Sequence, residues 1–277
     1  MIQTVFLDSD LHGIPSGAMT RGDQPKWVLH HRWYKADHMG YESLAEVVAS
    51  RLLARSNFNT IAPHVRYTPV LLQVSGRQMT GCASDNFRES GTTLLTLERL
   101  HRSLKGVGLA AALGKISGAG EKVQYTTDFV QAATGLDNFG QYLGMLLQAD
   151  AFFLNEDRHT QNIAILQDNQ TRAYRLCPLF DFGLSLLSDI RSQSCYPLTE
   201  DVFESIRRVP ARPFSADFDE QIEASITVCG ANLQFHFSSQ DIAAAMEGLD
   251  AIYPQAILAR VRAVLREQCR RYAFLFS

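Results

Sequence analysis

Apolar positions fall into two regimes along the chain. Up to about Ser90, short runs of aromatic and β-branched residues alternate with polar steps. Lys26-Trp27-Val28-Leu29 and Trp33-Tyr34-Lys35-Ala36 flank His30-His31-Arg32, a pattern that predicts a hairpin or one long bent strand. Tyr41, Leu44, Ala45, Val48 and Leu52 then recur at helical spacing and predict a helix with one apolar face. Val65-Arg66-Tyr67 and Leu71-Leu72-Gln73-Val74 read as strand, and Pro69, which has no N–H to give a ladder, marks an edge or a bulge. The expected order is strand, strand, helix, strand, strand.

Beyond Ser90 helical patterns dominate. Phe139, Tyr142, Leu143, Leu146, Ala149 and Phe153 predict a strongly apolar helix that runs into Asn155-Glu156-Asp157. Ile257, Leu258, Val261, Leu265, Cys269 and Tyr272 predict a terminal helix, with Arg260, Arg262, Arg266 and Arg270 on its solvated surface rather than forming a phosphate-binding face. Gly114–Glu121, punctuated by Gly118 and Gly120, reads as a surface loop. The expected architecture is α+β in two lobes: a small β-rich N-lobe over residues 1–90 and a larger helical C-lobe over residues 91–277.

Composition narrows the class without naming a chemistry. With 46% hydrophobic and 20% charged residues, the chain is an ordinary globular one, so disordered, collagenous and coiled-coil readings fail. A net charge of −3 offers no basic footprint, and direct nucleic-acid binding is not expected. The 5 cysteines are widely spaced, with no C-x-x-C, which argues against a disulfide framework and a structural zinc site. The N-terminus lacks the charged and apolar pattern of a signal, and no apolar run is long enough to span a bilayer. These features predict a cytoplasmic protein with no membrane partner.

The chemistry is concentrated in one segment. Leu154-Asn155-Glu156-Asp157-Arg158-His159-Thr160-Gln161-Asn162 ends the apolar helix in a polar loop. A strand, a turn at Asp168-Asn169-Gln170 and a second strand then lead to Pro178-Leu179-Phe180-Asp181-Phe182-Gly183. Asp157, Asn162 and Asp181 are thereby delivered toward one point, as a phosphotransferase needs them. One Asp accepts or orients the proton of the acceptor hydroxyl, while an Asn and a second Asp hold magnesium. Singly, each is equally a helix cap or a turn residue; the order and the joining hairpin give them weight together. His159 either orients Asp157, contacts phosphate or stabilises the loop. A metal hydrolase would need further His or carboxylate ligands at short spacing, and none is present.

A nucleotide site also needs a strand lysine held by a helix carboxylate. Lys35 ends an aromatic strand, and Glu42 and Glu46 follow one turn apart on the next helix as possible partners. The polar stretch from Ser16 to Lys26 can fold over phosphates through backbone N–H groups, although it matches neither a P-loop nor G-x-G-x-x-G.

These residues resemble the HipA-like serine/threonine kinases, whose fold is related to the protein kinases and the phosphoinositide kinases. Gly22-Asp23-Gln24-Pro25-Lys26 is similar to that family's G-x-Q-x-K phosphate loop, and Trp33-Tyr34-Lys35 to its ATP-contacting strand. Ala45-Glu46-Val47-Val48 leading to Leu52 resembles its N-E-x-x-x-x-x-L helix. Residues 155–162 match N-x-D-x-H-x-x-N, and residues 178–181 resemble P-L-Y-D.

The resemblance implies a two-lobed, protein-kinase-like fold and an ATP- and magnesium-dependent serine/threonine kinase. Asp157 would be the base with His159 beside it, and Asn162 and Asp181 the metal ligands. Ser16, Gly22, Gln24, Lys26 and Lys35 would lie around the nucleotide, with Glu46 rather than Glu42 as the lysine's partner. It further implies a protein substrate with a serine or threonine acceptor, and autophosphorylation in the phosphate loop, at Ser16 in preference to Thr20. The chain is short for the extra N-terminal subdomain of full-length HipA proteins, so a toxin role is not expected, and an antitoxin-like partner is not readable. Two alternatives keep the fold: a small-molecule or lipid phosphotransferase, and a nucleotide-binding pseudokinase.

Overall fold

In the computed structural model, residues 2–7, 24–192, 195–230 and 232–276 are described. Ser16, Thr20 and Gly22 lie outside these residues.

The two halves of the aromatic stretch form separate strands, β2 (Lys26–Leu29) and β3 (Arg32–Ala36), paired antiparallel. His30 and His31 both take positive φ (49° and 61°), as a two-residue hairpin turn matched to the strand twist requires. The stretch is therefore a hairpin and not one bent strand. A second hairpin joins β4 (Thr68–Val74) to β5 (Arg77–Asp85) through Ser75 and Gly76, again both at positive φ.

The sheet runs β1-β4-β5-β3-β2. Its β1 (Gln3–Leu7) pairs parallel with β4 and is a strand that the sequence pattern did not reveal. That addition makes β4 an internal strand. Pro69 is tolerated there because pairing with β1 begins only at Gln3 opposite Val70, one residue later. Val65-Arg66-Tyr67 is not a strand; β4 begins after it, at Thr68. The neighbouring His64 forms an isolated parallel bridge with Leu179, and the Val65 N–H donates to Leu179 O at 2.8 Å.

Helix α1 (Glu42–Leu53) follows β3. Eleven of its residues are buried, and its apolar face belongs to the main core of the molecule, not to the small core under the sheet. The smaller lobe is thus joined to the larger by a shared hydrophobic core. Its hydrogen bonds cross as well: Tyr41 N–H donates to Ser188 O, and Ile190 N–H to Met39 O.

The larger body starts with β6 (Thr92–Thr96), α2 (Leu97–Lys105), α3 (Leu109–Leu113) and α4 (Ala119–Thr134). Gly118 is the N-cap of α4, so the last three residues of the expected Gly114–Glu121 loop are helix instead. Next comes α5 (Phe139–Phe153), in which all residues but Gln141 are buried. A helix buried on every side sits in the middle of a core, and α5 does so against α4 and α7. A second sheet, β6-β7-β8, adds β7 (Ala164–Asp168) and β8 (Tyr174–Leu176) and carries the chain from the end of α5 toward Asp181.

The remaining helices are α6 (Val202–Arg208), α7 (Phe218–Cys229), α8 (Ser239–Ala245) and α9 (Gln255–Arg271). Arg260 departs from the expected solvated series: it is buried and donates to Pro197 O and Ser205 Oγ, while Arg266 and Arg270 are exposed. Among the described residues, no helix is long and apolar enough to cross a membrane.

Gly40 sits where the lobes meet. A Cβ there would lie 2.1 Å from Ser188 O and 2.8 Å from Ile190 Cγ1, so any side chain forces the two backbones apart. Gly40→Ala should lower stability by about 1–3 kcal/mol, read as a shifted urea midpoint. Gly135→Ala, at an open site but with positive φ, is the comparison for backbone strain alone.

Candidate active site

Helix α5 ends at Leu154, whose φ of 56° turns the chain sharply into the Asn155–Asn162 loop. The loop is built on a side chain at its centre. Arg158 is completely buried and forms a two-pronged ion pair with Asp150 of α5, Nε to Oδ2 at 2.8 Å and Nη2 to Oδ1 at 3.0 Å. Its other donors hold backbone carbonyls: Nη1 reaches Asn162 O and Phe180 O, both at 2.9 Å, and Nη2 reaches Asp181 O at 3.3 Å. Asn155 Nδ2 repeats the link, donating to Asp150 Oδ1 and to Asp181 O. One guanidinium therefore ties the loop of Asp157 and Asn162 to the segment of Asp181.

The three oxygen-bearing side chains are drawn together by this scaffold. Asn162 Nδ2 donates to Asp157 O at 2.9 Å, and its Oδ1 receives no donor among the described residues. Asp181 has φ 68°, a strained backbone for a non-glycine residue, stabilised by the Arg158 and Asn155 bonds to its carbonyl. Its Oδ1 accepts from Lys35 Nζ at 2.8 Å, while Oδ2 has no partner among the described residues.

Burial followed by repulsion from Asp181 pushes the Asp157 carboxyl up to about 7, despite Arg212 and Arg158 nearby. Asp181 behaves oppositely. Burial pushes it up, but Lys35, then Arg158 and Lys26, outweigh this and leave it at about 2. Two carboxylates in one cleft are thus driven apart in acidity, one stably ionised and one poised near neutrality.

Lys35 closes the site from above. Its ammonium is shared between Glu46 of α1 and Asp181, and Glu46 Oε2 also accepts the Phe182 N–H at 2.8 Å. Burial opposes the ammonium, yet Asp181 and Glu46 hold its pKa well above the usual lysine value. Glu42 takes another role, accepting the N–H groups of His38, Met39 and Gly40 just before α1. Lys26 stands directly opposite Lys35 on the β2–β3 hairpin. Like charges facing each other across a ladder are unfavourable unless an anion lies between or beside them.

Gln24 is buried, donates to Ala36 O at 3.3 Å, and lies where a Cβ on Gly183 would meet its Oε1 at 2.9 Å. The structure therefore packs Gln24 against the Asp181–Gly183 turn. His159 Nδ1 accepts the Gln161 N–H at 3.2 Å, a loop-stabilising bond, while Nε2 stays 3.9 Å from Asp157 Oδ2. Burial lowers its pKa, which favours the neutral ring.

Among the described residues, no cluster of three or more His, Cys, Asp or Glu is placed to hold a metal. Magnesium does not need one: it takes one or two carboxylates and keeps its waters. The unpartnered Asn162 Oδ1 and Asp181 Oδ2 are hard oxygen donors of that kind. Asp150 and Arg158 were not foreseen as site residues. Their signal was the single charged residue of a strongly apolar helix, because a buried carboxylate requires a cation.

Arg158→Met should cost about 3–5 kcal/mol, since it leaves the Asp150 charge buried and unpaired, and Asp150→Leu/Arg158→Met should recover much of that loss. Urea unfolding of the two variants checks this. The Asp157 carboxyl, raised from 3.8 to about 7, makes folding less favourable as pH climbs through that window. Asp157→Asn should therefore melt at a higher temperature than the parent above pH 7, with the difference vanishing below pH 4.

No protein-family model and no curated protein matches the chain. Among solved structures it is similar to a Helicobacter pylori proinflammatory kinase, CtkA, with a TM-score of 0.60 and 13% identity over 98% of this chain and 96% of that one. It is also similar to a chain of the Shewanella oneidensis MR-1 toxin–antitoxin complex of HipA, HipB and operator DNA, with a TM-score of 0.43, 10% identity, and coverage of 88% of this chain and 59% of that one. The first likeness runs through both chains nearly end to end, and the protein accordingly has the two-lobed, kinase-like α+β fold of the Helicobacter kinase.

Proposed function

We propose that this protein is a serine/threonine kinase of the HipA-like kind, transferring the γ-phosphoryl group of ATP with magnesium as cofactor. The observation that carries the reading is a single buried network. Through it Lys35, Glu46, Asp181, Asn162 and Asp157, five residues from distant parts of the sequence, are linked by ion pairs and hydrogen bonds. The kinase-like fold and the motif resemblance support the same conclusion.

In this reading Asp157 accepts the proton of the acceptor hydroxyl. The hydroxyl oxygen forms a bond to the γ-phosphorus as the bond to the β–γ bridging oxygen breaks, and ADP departs with that electron pair. Asn162 and Asp181 would hold magnesium, which when bound neutralises charge on the phosphates. Lys35 and Lys26 supply fixed positive charge along the phosphate chain, and Glu46 keeps Lys35 in place as α1 stays docked. A base near neutrality is well matched to proton transfer at working pH. Ser16 remains the preferred autophosphorylation position, ahead of Thr20.

Asp157→Asn should lower kcat by about a hundredfold or more while ATP affinity changes little. Single-turnover transfer and equilibrium nucleotide binding, measured side by side, separate these effects. For the parent, kcat/KM should rise with pH through about 7 as Asp157 ionises. Wild-type transfer by Asp157→Asn would remove the base from the scheme. Mass spectrometry after incubation with magnesium and ATP locates any phosphate in the 16–26 stretch.

A further inference from the structure

The catalytic loop has a second flank, away from Lys35. There a cavity of ≈ 280 Å³ is walled by Ala110, Leu113, Lys122, His159, Arg212 and Pro213, among others. It adjoins the base directly. His159 Nε2 and Arg212 Nη1 stand 3.9 Å and 4.0 Å from the two carboxylate oxygens of Asp157.

Two cations and no acidic residue line this cavity; the nearest carboxylates are Asp157 and Glu98, and Glu98 is occupied by the Ala110 N–H and the Thr160 hydroxyl. Lys122, near the start of α4, donates to the carbonyl of Phe214 at 3.3 Å and has no carboxylate partner among the described residues. Among the described residues Arg212 has only Asp157 as a carboxylate neighbour, at a distance beyond hydrogen bonding. The backbone on either side of it is nevertheless held. Ala211 and Phe214 on either side are buried; the Ala211 N–H donates to Ala216 O at 2.9 Å and the Phe214 N–H to Gln221 Oε1 at 3.1 Å. A firmly held turn thus presents a guanidinium with unused donors beside the base.

We infer that this cavity is the acceptor site, and that Arg212 and Lys122 select a protein segment whose serine or threonine is flanked by an acidic side chain. The inference rests on the phosphotransferase reading and adds the substrate class to it. A carboxylate matches the planar fork of Arg212, and Lys122 adds a point charge on the same side. Ala110, Leu113 and Pro213 give the neighbouring side chain an apolar wall. The volume lies at or below the small end of pockets that enclose a free metabolite, and suits one or two side chains of an extended segment.

Three labelled peptides with a central serine, flanked by Asp and Glu, by Ala, or by Lys and Arg, test the inference. Binding is followed by fluorescence anisotropy without nucleotide, and phosphate incorporation is followed in parallel with magnesium and ATP. The acidic peptide should bind at least about tenfold tighter than the basic one. Arg212→Gln and Lys122→Glu should each shrink the preference, and the double variant should abolish it. Arg212→Lys should keep part of it. Thermal melts identify any variant that fails to fold, and the remaining single substitution then gives the answer. Equal binding of acidic and basic peptides, or an acid preference that survives the double variant, overturns the inference even where phosphate transfer is found. Acid-selective binding with no transfer to any peptide overturns the phosphotransferase reading and the acceptor role with it.

Discussion

The Asp150–Arg158 ion pair is the constraint from which the site is built. Two full charges with no solvent exposure are expensive to bury, and they persist where geometry and extra hydrogen bonds compensate. Here the compensation is also the architecture. Once Arg158 is paired on one side, its remaining N–H groups must find acceptors, and they find the carbonyls of Asn162, Phe180 and Asp181. Satisfying a buried cation therefore aligns the loop that carries Asp157 with the turn that carries Asp181. Phe182 beneath the guanidinium, with its ring centroid 5.1 Å from Arg158 Cζ, completes the enclosure.

The upper half of the cleft depends on a different logic. Helix α1 is covered by the main core, so Glu46 is positioned by packing against the helical body rather than by its own lobe. Glu46 in turn receives both Lys35 and the Phe182 N–H, which joins the β-sheet, α1 and the Asp181 turn in one chain of contacts. Gly40 permits the close backbone contact that brings β3 and α1 to this register. Asp37 adds a second tie between the lobes. It accepts from Thr80 Oγ1 at 2.6 Å, Ser43 N–H at 2.6 Å and Tyr253 OH at 2.7 Å, and burial followed by Glu42 raises its carboxyl to about 6.

Much of this was legible from pattern alone. The β2–β3 pair, α1, α5, α9 and the strands leading to Asp181 all carry strong local periodicity, and the Asn155–Asn162 segment is dense in polar residues after an apolar helix. What was missed lacked a local signal. Strand β1 is short and pairs with a strand 67 positions on, Gln3 opposite Val70. The start of α4 hides behind glycines, because Gly118 acts as a cap and Gly120 lies inside the helix. Arg260 was placed with surface arginines by its spacing, although it is buried and its Nη1 and Nη2 donate to Pro197 O and Ser205 Oγ of a distant segment.

The amino-acid order by itself determined which chemistry was available: a strand lysine, helix carboxylates, and an ordered set of Asp, Asn and Asp on loops. Those are properties of side-chain type and spacing, which local periodicity exposes. Only the tertiary structure showed Lys35 paired with Glu46 while Glu42 accepts the Met39 N–H just before α1, gave Asp157 and Asp181 opposite acidities, and set Arg212 beside Asp157. Each of these depends on distance, burial and the sign of neighbouring charge, and those quantities exist only once remote segments meet.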